Sequence, residues 1–282
     1  MLFKEIKHEF EIDGRKCSFE AGKLALKSQS SILARMGDTV ITVNVNSKKS
    51  DGESDYFPLS VEYIEKFYAS GKISGSRFVK RERFPSDDAI LKARMIDRSI
   101  RPRFPEDYKD EVSVIVTVMS YDGENDPALL AINATSVALM NSFAPFEGPI
   151  GAVRLGLNGD EVIPLYKAID LTSEDEKMNY VVAGDGKTFT MIDAGTHIVS
   201  EEKILEAMEE SLEMMKKWIK PQEEFMKKLE AKDKAYESAG LADEVVVAVE
   251  EMLGAETIRK NLEAGDAKMH EESREELFAK LE

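Results

Sequence analysis

Residue types that cross-link a chain or hold metal ions are scarce here: the 282 residues include one cysteine and three histidines. Cys17 alone can close no intramolecular disulfide and cannot assemble a cysteine-ligated zinc site. His8, His197 and His270 stand far apart in different predicted elements, and no two share a metal-ligand spacing, so they are expected to be structural or exposed. No apolar run approaches the ~18 residues of a membrane-spanning helix. The opening MLFKEIKHEFEIDG places charges where a secretory signal needs about 7–15 unbroken apolar residues. A cytoplasmic protein with no membrane partner is therefore expected.

What the chain has in excess is negative charge. Its 54 acidic and 38 basic side chains leave a formal net charge of −16, an average that disfavours nucleic acid as a partner. The average hides an asymmetry. Residues 201–282 hold 23 acids and 13 bases, whereas residues 66–103 hold 11 bases and 4 acids. A solvated loop and helix face would tolerate such a basic island, and a phosphate-binding site would require one. Hydrophobic content of 43% with 33% charged residues describes a soluble globular chain, and the length suggests about two domains.

The first 60 residues read as antiparallel strands, with Asp13-Gly14 as a hairpin turn and Gly37-Asp38 as another. DYFPLSVEYIEKFYA follows as a further strand whose Pro58 suits an edge or bulge. Residues 66–88 form a long Gly/Ser-rich basic loop, a kind of segment that is more often functional than decorative. Ser86, with Asp87 and Asp88 behind it, is a helix start. In that helix Ile90, Ala93, Met95, Ile96 and Ile100 are expected to be buried, while Arg94, Arg98 and Arg101 share one face. The apolar run at 112–122 predicts a buried central strand. Asp126-Pro127 opens a buried helix. Hairpins turning at Asn158-Gly159 and Gly184-Asp185-Gly186 come next. Ser200 then caps a long helix with a core stripe of Ile204, Met208, Leu212, Met215 and Ile219, which Pro221 is expected to bend or break.

Most chemical motifs weigh out as structure. Gly186-Lys187-Thr188 lacks the upstream glycine of a P-loop and reads as a turn. Gly71–Ser76 could wrap a phosphate but is weak alone. Asn133-Ala134-Thr135 matches a glycosylation acceptor by chance. Asp170, Glu174, Asp175 and Glu176 could hold magnesium, though acidic turns are common. Trp218 and the Met214-Met215 pair have core spacing, and nothing activates a particular serine or Cys17 as a nucleophile. The basic island differs, because it interleaves Phe78 and Phe84 with Arg77, Lys80, Arg81 and Arg83. Aromatic faces stack on bases while cations hold phosphates, the composition of a single-stranded nucleic-acid site.

YASGKISGSRFVKRERFPSD and ARMIDRSIRPRFP, with SDYFPLSVEY before them and FEGPIGAVRLGLNG and SEEKILEAMEE after, resemble the first half of the polynucleotide phosphorylase family over nearly all of residues 1–235. The resemblance implies an α+β fold: a ribonuclease PH-like core (S5 domain 2-like) at 1–236, followed at 237–282 by the start of an all-α linker, truncated from a longer protein. It implies a trimeric phosphorolytic 3′-to-5′ exoribonuclease of RNA turnover, a polyribonucleotide nucleotidyltransferase, with single-stranded RNA and a second core of the same protein as partners. The RNA-binding residues carried over are Phe78, Lys80, Arg81, Arg94, Arg98 and Arg101. The family's serine-rich phosphate loop corresponds to Asn133-Ala134-Thr135-Ser136, and its paired aspartates and lysine correspond to Ser173, Asn179 and Val181. This core is accordingly expected to be non-catalytic. Magnesium and inorganic phosphate would bind in the second core, with no catalytic or metal residue in this chain. The alternatives are a free-standing phosphorolytic exonuclease and a ring scaffold without RNA contact.

Overall fold

A computed structural model describes residues 4–50, 56–73, 84–158, 161–164, 178–230 and 232–236, together with isolated positions between 244 and 259. The chain divides into two compact units, Met1–Glu237 and Ser238–Glu282. In the second unit the described positions, Glu244, Val245, Val247, Ala248, Glu251 and Arg259, are helical.

The first unit is built on two sheets. Strands β1 (Ile6–Ile12), β2 (Arg15–Ala21), β3 (Ser30–Met36), β4 (Thr39–Lys48), β5 (Leu59–Glu65) and β6 (Glu111–Ser120) make one, in the order β1-β2-β3-β4-β6-β5. The β1–β2 turn is the predicted one. Asp13 and Gly14 both have positive φ (45° and 79°), the pair of left-handed residues that a tight two-residue hairpin needs. One strand departs from the antiparallel expectation: β5 runs parallel to β6. A parallel pair needs a crossover, and residues 66–110 supply it with a short helical turn at Phe67–Ser70 and helix α1 (Asp87–Ile100). Pro58 directly precedes β5, which is an edge strand as the proline suggested.

Strands β7 (Gly151–Asn158), β8 (Glu161–Pro164), β9 (Met178–Gly184) and β10 (Phe189–Thr196) form the second sheet, ordered β10-β9-β7-β8. Between the sheets lie α1, which touches β5 and β10, and α2 (Pro127–Met140), which touches β3, β4 and β7. Every residue of α2 from Pro127 to Leu139 is buried, as expected of a helix with no charged face.

Helix α3 (Glu201–Met226) packs on β7, and it refines two expectations, the break at Pro221 and the core stripe. It runs unbroken through Pro221, because the turn around the proline is anchored from outside. Trp218 and Phe225 are fully buried, and buried Gln222 donates from Nε2 to Ile150 O at 2.8 Å. Its buried residues are Ala207, Ser211, Met215, Trp218, Pro221, Gln222 and Phe225; of the predicted stripe Met215 is among them, and Met208 and Ile219 pack partly buried against the core. At Gly151 of β7 the two backbones approach closely. A Cβ on Gly151 of β7 would fall 2.6 Å from Met215 O.

Candidate nucleic-acid interface

Helix α1 carries the second half of the basic island, and its start is the predicted one: Ser86 Oγ accepts from Ala89 N at 3.1 Å. Phe78, Lys80 and Arg81, like Arg77 and Arg83, lie outside the described residues. The acidic run at 170–176 lies outside them too.

The arginines of α1 do not form one free face. Arg94 is exposed and lines a cleft between β5 and α1. Arg98 leans the other way, its guanidinium 3.4 Å from Asp193 on β10. Arg101 grips Asp97 through Nε (2.9 Å) and Nη2 (3.0 Å), donates to Phe57 O and Leu59 O, and stacks over the Phe57 ring. That guanidinium ties α1 to the start of β5. Arg103 likewise reaches Glu147 O and Asp185. Lys92 binds Glu65 (2.8 Å) and Asp88 (2.5 Å). Burial acts against the Lys92 charge, but the two carboxylates outweigh it and hold its pKa above the ordinary value. Lys72 and Arg94, by contrast, have no ion-pair partner among the described residues.

Hydrophobic side chains around the cleft are unusually open. Ile90 faces outward, 45% exposed, against the expectation of burial, and Phe84 is 89% exposed. The cleft brings the stretch 61–72 beside 84–97, a juxtaposition invisible to residue spacing.

A site for phosphate transfer would want unsatisfied backbone N–H groups, most readily at a helix N-terminus. The residues assigned to the phosphate loop are not placed for this. Asn133, Ala134, Thr135 and Ser136 lie fully buried in mid-α2, where the backbone donors serve the helix, as the predicted buried helix requires. Their side chains serve β7 instead. Asn133 bonds both Ala152 N and O at 3.0 Å, and Ser136 Oγ accepts from Ile150 N at 2.9 Å.

The N-terminus of α2 is closed by the protein's own carboxylates. Asp126 caps Ala128 N and pairs with buried Arg154 from β7, while Pro127 has no N–H to offer. Asp122 takes the amides of Glu124 and Asn125 together with Asn125 Nδ2. The same carboxylate accepts from Asp38 N, Thr39 N and Thr39 Oγ1 across the β3–β4 turn. Burial would raise the Asp122 pKa, but these donors outweigh it and hold it at about 2. Sequence reading found the helix start at Asp126-Pro127 but missed Arg154, whose partner is 28 positions away.

Asn179 and Val181 sit on β9 beside β10. Val181 is buried and apolar, and the Asn179 Oδ1 atom is buried without a hydrogen-bond partner among the described residues. An amide and an alkyl group do not fit a magnesium ion, which wants carboxylate oxygen.

Residues 13–145 match the family model described as 3′ exoribonuclease family, domain 1. The chain carries a ribonuclease PH domain. The same fold occurs in the crystal structure of rice Rrp46, with a TM-score of 0.51 at 16% identity, over 79% of this chain and 94% of the rice protein. Curated relatives of the ribonuclease PH domain are named polyribonucleotide nucleotidyltransferase. The Pelagibacter ubique protein is 44% identical over 73% of this chain and 30% of its own length. The Caldicellulosiruptor bescii protein is 41% identical over 80% and 34%. The Gloeobacter violaceus protein is 36% identical over 99% and 38%. The chain thus spans about a third of the length of these relatives.

Proposed function

We propose that this chain acts as the first, non-catalytic ribonuclease PH core of a polyribonucleotide nucleotidyltransferase, a phosphate-dependent 3′-to-5′ exoribonuclease. Its part is to guide single-stranded RNA and to help assemble a homotrimeric ring in the cytoplasm, while a second core of the same protein binds magnesium and inorganic phosphate. In this division, residues 1–236 form the core and 237–282 begin a helical linker.

The observation that carries the reading is the capping of the α2 N-terminus by Asp126, with Asp122 holding the Glu124 and Asn125 amides just before it. Phosphorolysis delivers a phosphate dianion to a phosphodiester, and the transferring group needs donors aimed at its developing charge. Here Asp126 already holds the Ala128 amide and Asp122 the amides just before the helix, and a second anion would meet the repulsion of both carboxylates. The resemblance places an acid and a base at Asn179 and Val181, and both charges are missing.

The test is to incubate the chain with an RNA oligomer, phosphate and magnesium. RNA binding without release of nucleoside diphosphates is the expected result, and diphosphate release would overturn the non-catalytic assignment. One observation favours the scaffold reading instead: Arg98, Arg101 and Arg103 are paired within the domain. Absence of RNA binding in the same assay would decide for it.

A further inference from the structure

The cleft between β5 and α1 combines two features that residue spacing does not reveal. The first is charge. Among its lining residues Glu65 is held by Lys92 and Asp97 by Arg101. Glu62 remains as an exposed acid, set against Lys72 and Arg94, which have no ion-pair partner among the described residues. The cleft therefore offers two cations without an ion-pair partner among the described residues, Lys72 and, on α1, Arg94, whereas Lys92 and Arg98 of α1 stand in internal pairs.

The second feature is an aromatic face. Phe84 lines the same cleft, is 89% exposed, and has no ring or cation against it among the described residues. Burying a phenyl ring is worth more than burying almost any other side chain, so a ring left this open, in the same cleft as Lys72 and Arg94, is poised for a flat partner. With a volume of about 1200 Å³ the cleft has room for a nucleoside and its neighbouring phosphates.

We infer that this cleft is a base-stacking subsite for single-stranded RNA, in which a nucleobase lies on Phe84 while Lys72 and Arg94 hold the flanking phosphates. The inference rests on the RNA-guiding reading above and adds to it a place where a base, not the backbone alone, is held. Stacking on a phenyl ring reads no base edge, so the subsite tolerates any sequence.

The experiment compares a fluorescein-labelled oligouridylate with an abasic oligomer of the same length, titrated by anisotropy against the full 282-residue chain. Phe84→Ala should weaken binding of the base-bearing oligomer about 5- to 100-fold and leave the abasic one unchanged. Phe84→Trp should restore affinity, and its indole emission should be quenched by the base-bearing oligomer alone. Replacing Lys72 and Arg94 together by Ala should weaken both oligomers and reduce the salt slope by about 1.4, at ~0.7 per phosphate on a single strand. Equal losses on both oligomers for Phe84→Ala, or no loss, would overturn the subsite. So would self-association that depends on Phe84, because the cleft would then hold a protein strand. If the unmodified chain binds neither oligomer, the RNA-guiding reading itself fails. Salt-dependent binding indifferent to Phe84 defeats the stacking subsite alone.

Discussion

The guanidinium of Arg98 on α1 reaches the carboxylate of Asp193 on β10 at 3.4 Å, with both side chains about half exposed. An ion pair so open to water is worth less than about 1 kcal/mol. Arg98 can therefore exchange its carboxylate for an RNA phosphate at small cost.

Removing that carboxylate should release the arginine. Asp193→Asn is expected to tighten RNA binding a few-fold and to steepen the salt dependence by about 0.7. Binding titrations between low and moderate salt check this. An unchanged slope would mean that Arg98 stands away from the RNA.

Arg101 should behave differently, since its guanidinium is committed to Asp97 and to two carbonyls at the start of β5. Arg101→Ala leaves those acceptors without their donor and is expected to cost about 2 kcal/mol of stability. Denaturant unfolding reads that loss directly. A variant of unchanged stability but weakened RNA binding would return Arg101 to the interface.

Asp122 gathers six hydrogen bonds from the β3–β4 turn and the approach to α2. Asp122→Ala should cost about 3 kcal/mol, the range of a lost charge-assisted network. The pH dependence has a definite sign. The folded pKa, about 2, lies below the ordinary carboxylate value of 3.8. The stabilisation is thus complete above about pH 4 and is lost as pH falls toward 2. Acid titration of the folded fraction should show a shallower loss over that window in Asp122→Asn.

The buried pair of Asp126 and Arg154 joins α2 to β7. Removing one partner strands the other charge, so Asp126→Ala should cost about 3–5 kcal/mol. Pairing it with Arg154→Met should recover much of that loss. Chemical denaturation of the two singles and the double measures the coupling. Strict additivity would show that the pair does not couple in solution.

His8 sets a second pH-dependent contact. Its ring lies between Phe10 and Phe225, with Nδ1 2.7 Å from Lys228 Nζ and Nε2 3.4 Å from Glu224. Burial, reinforced by Lys228 and opposed by Glu224, lowers its pKa below 6.5. The unfolded chain then binds the proton more readily, so stability falls on acidification below about pH 6.5. His8→Phe keeps the stack and should remove that part of the slope, as thermal unfolding at pH 7.5 and 5.5 would show.

Much of the fold was legible because its signals are local. The Asp13-Gly14 hairpin, the Ser86, Asp126 and Ser200 caps, and the buried, mostly apolar α2 each depend on residues within a few positions of one another, and the structure bears them out. The bulk-based stripe on α3 was only partly right: Met215 is fully buried and Met208 and Ile219 pack partly buried on the core, while the small Ala207 and Ser211, which hydrophobicity alone ranks low, are buried beside them.

By itself, the sequence determined where chain direction changes, where helices begin, and that a basic island sits inside an acidic protein. Tertiary structure decided that β5 runs parallel to β6 and that the α2 N-terminus is closed. It also decided which cations remain free for a partner. Those outcomes turn on pairs such as Arg98–Asp193 and Arg101–Phe57, whose members meet only when distant segments pack. A charge has no fixed role until its counter-charge is placed.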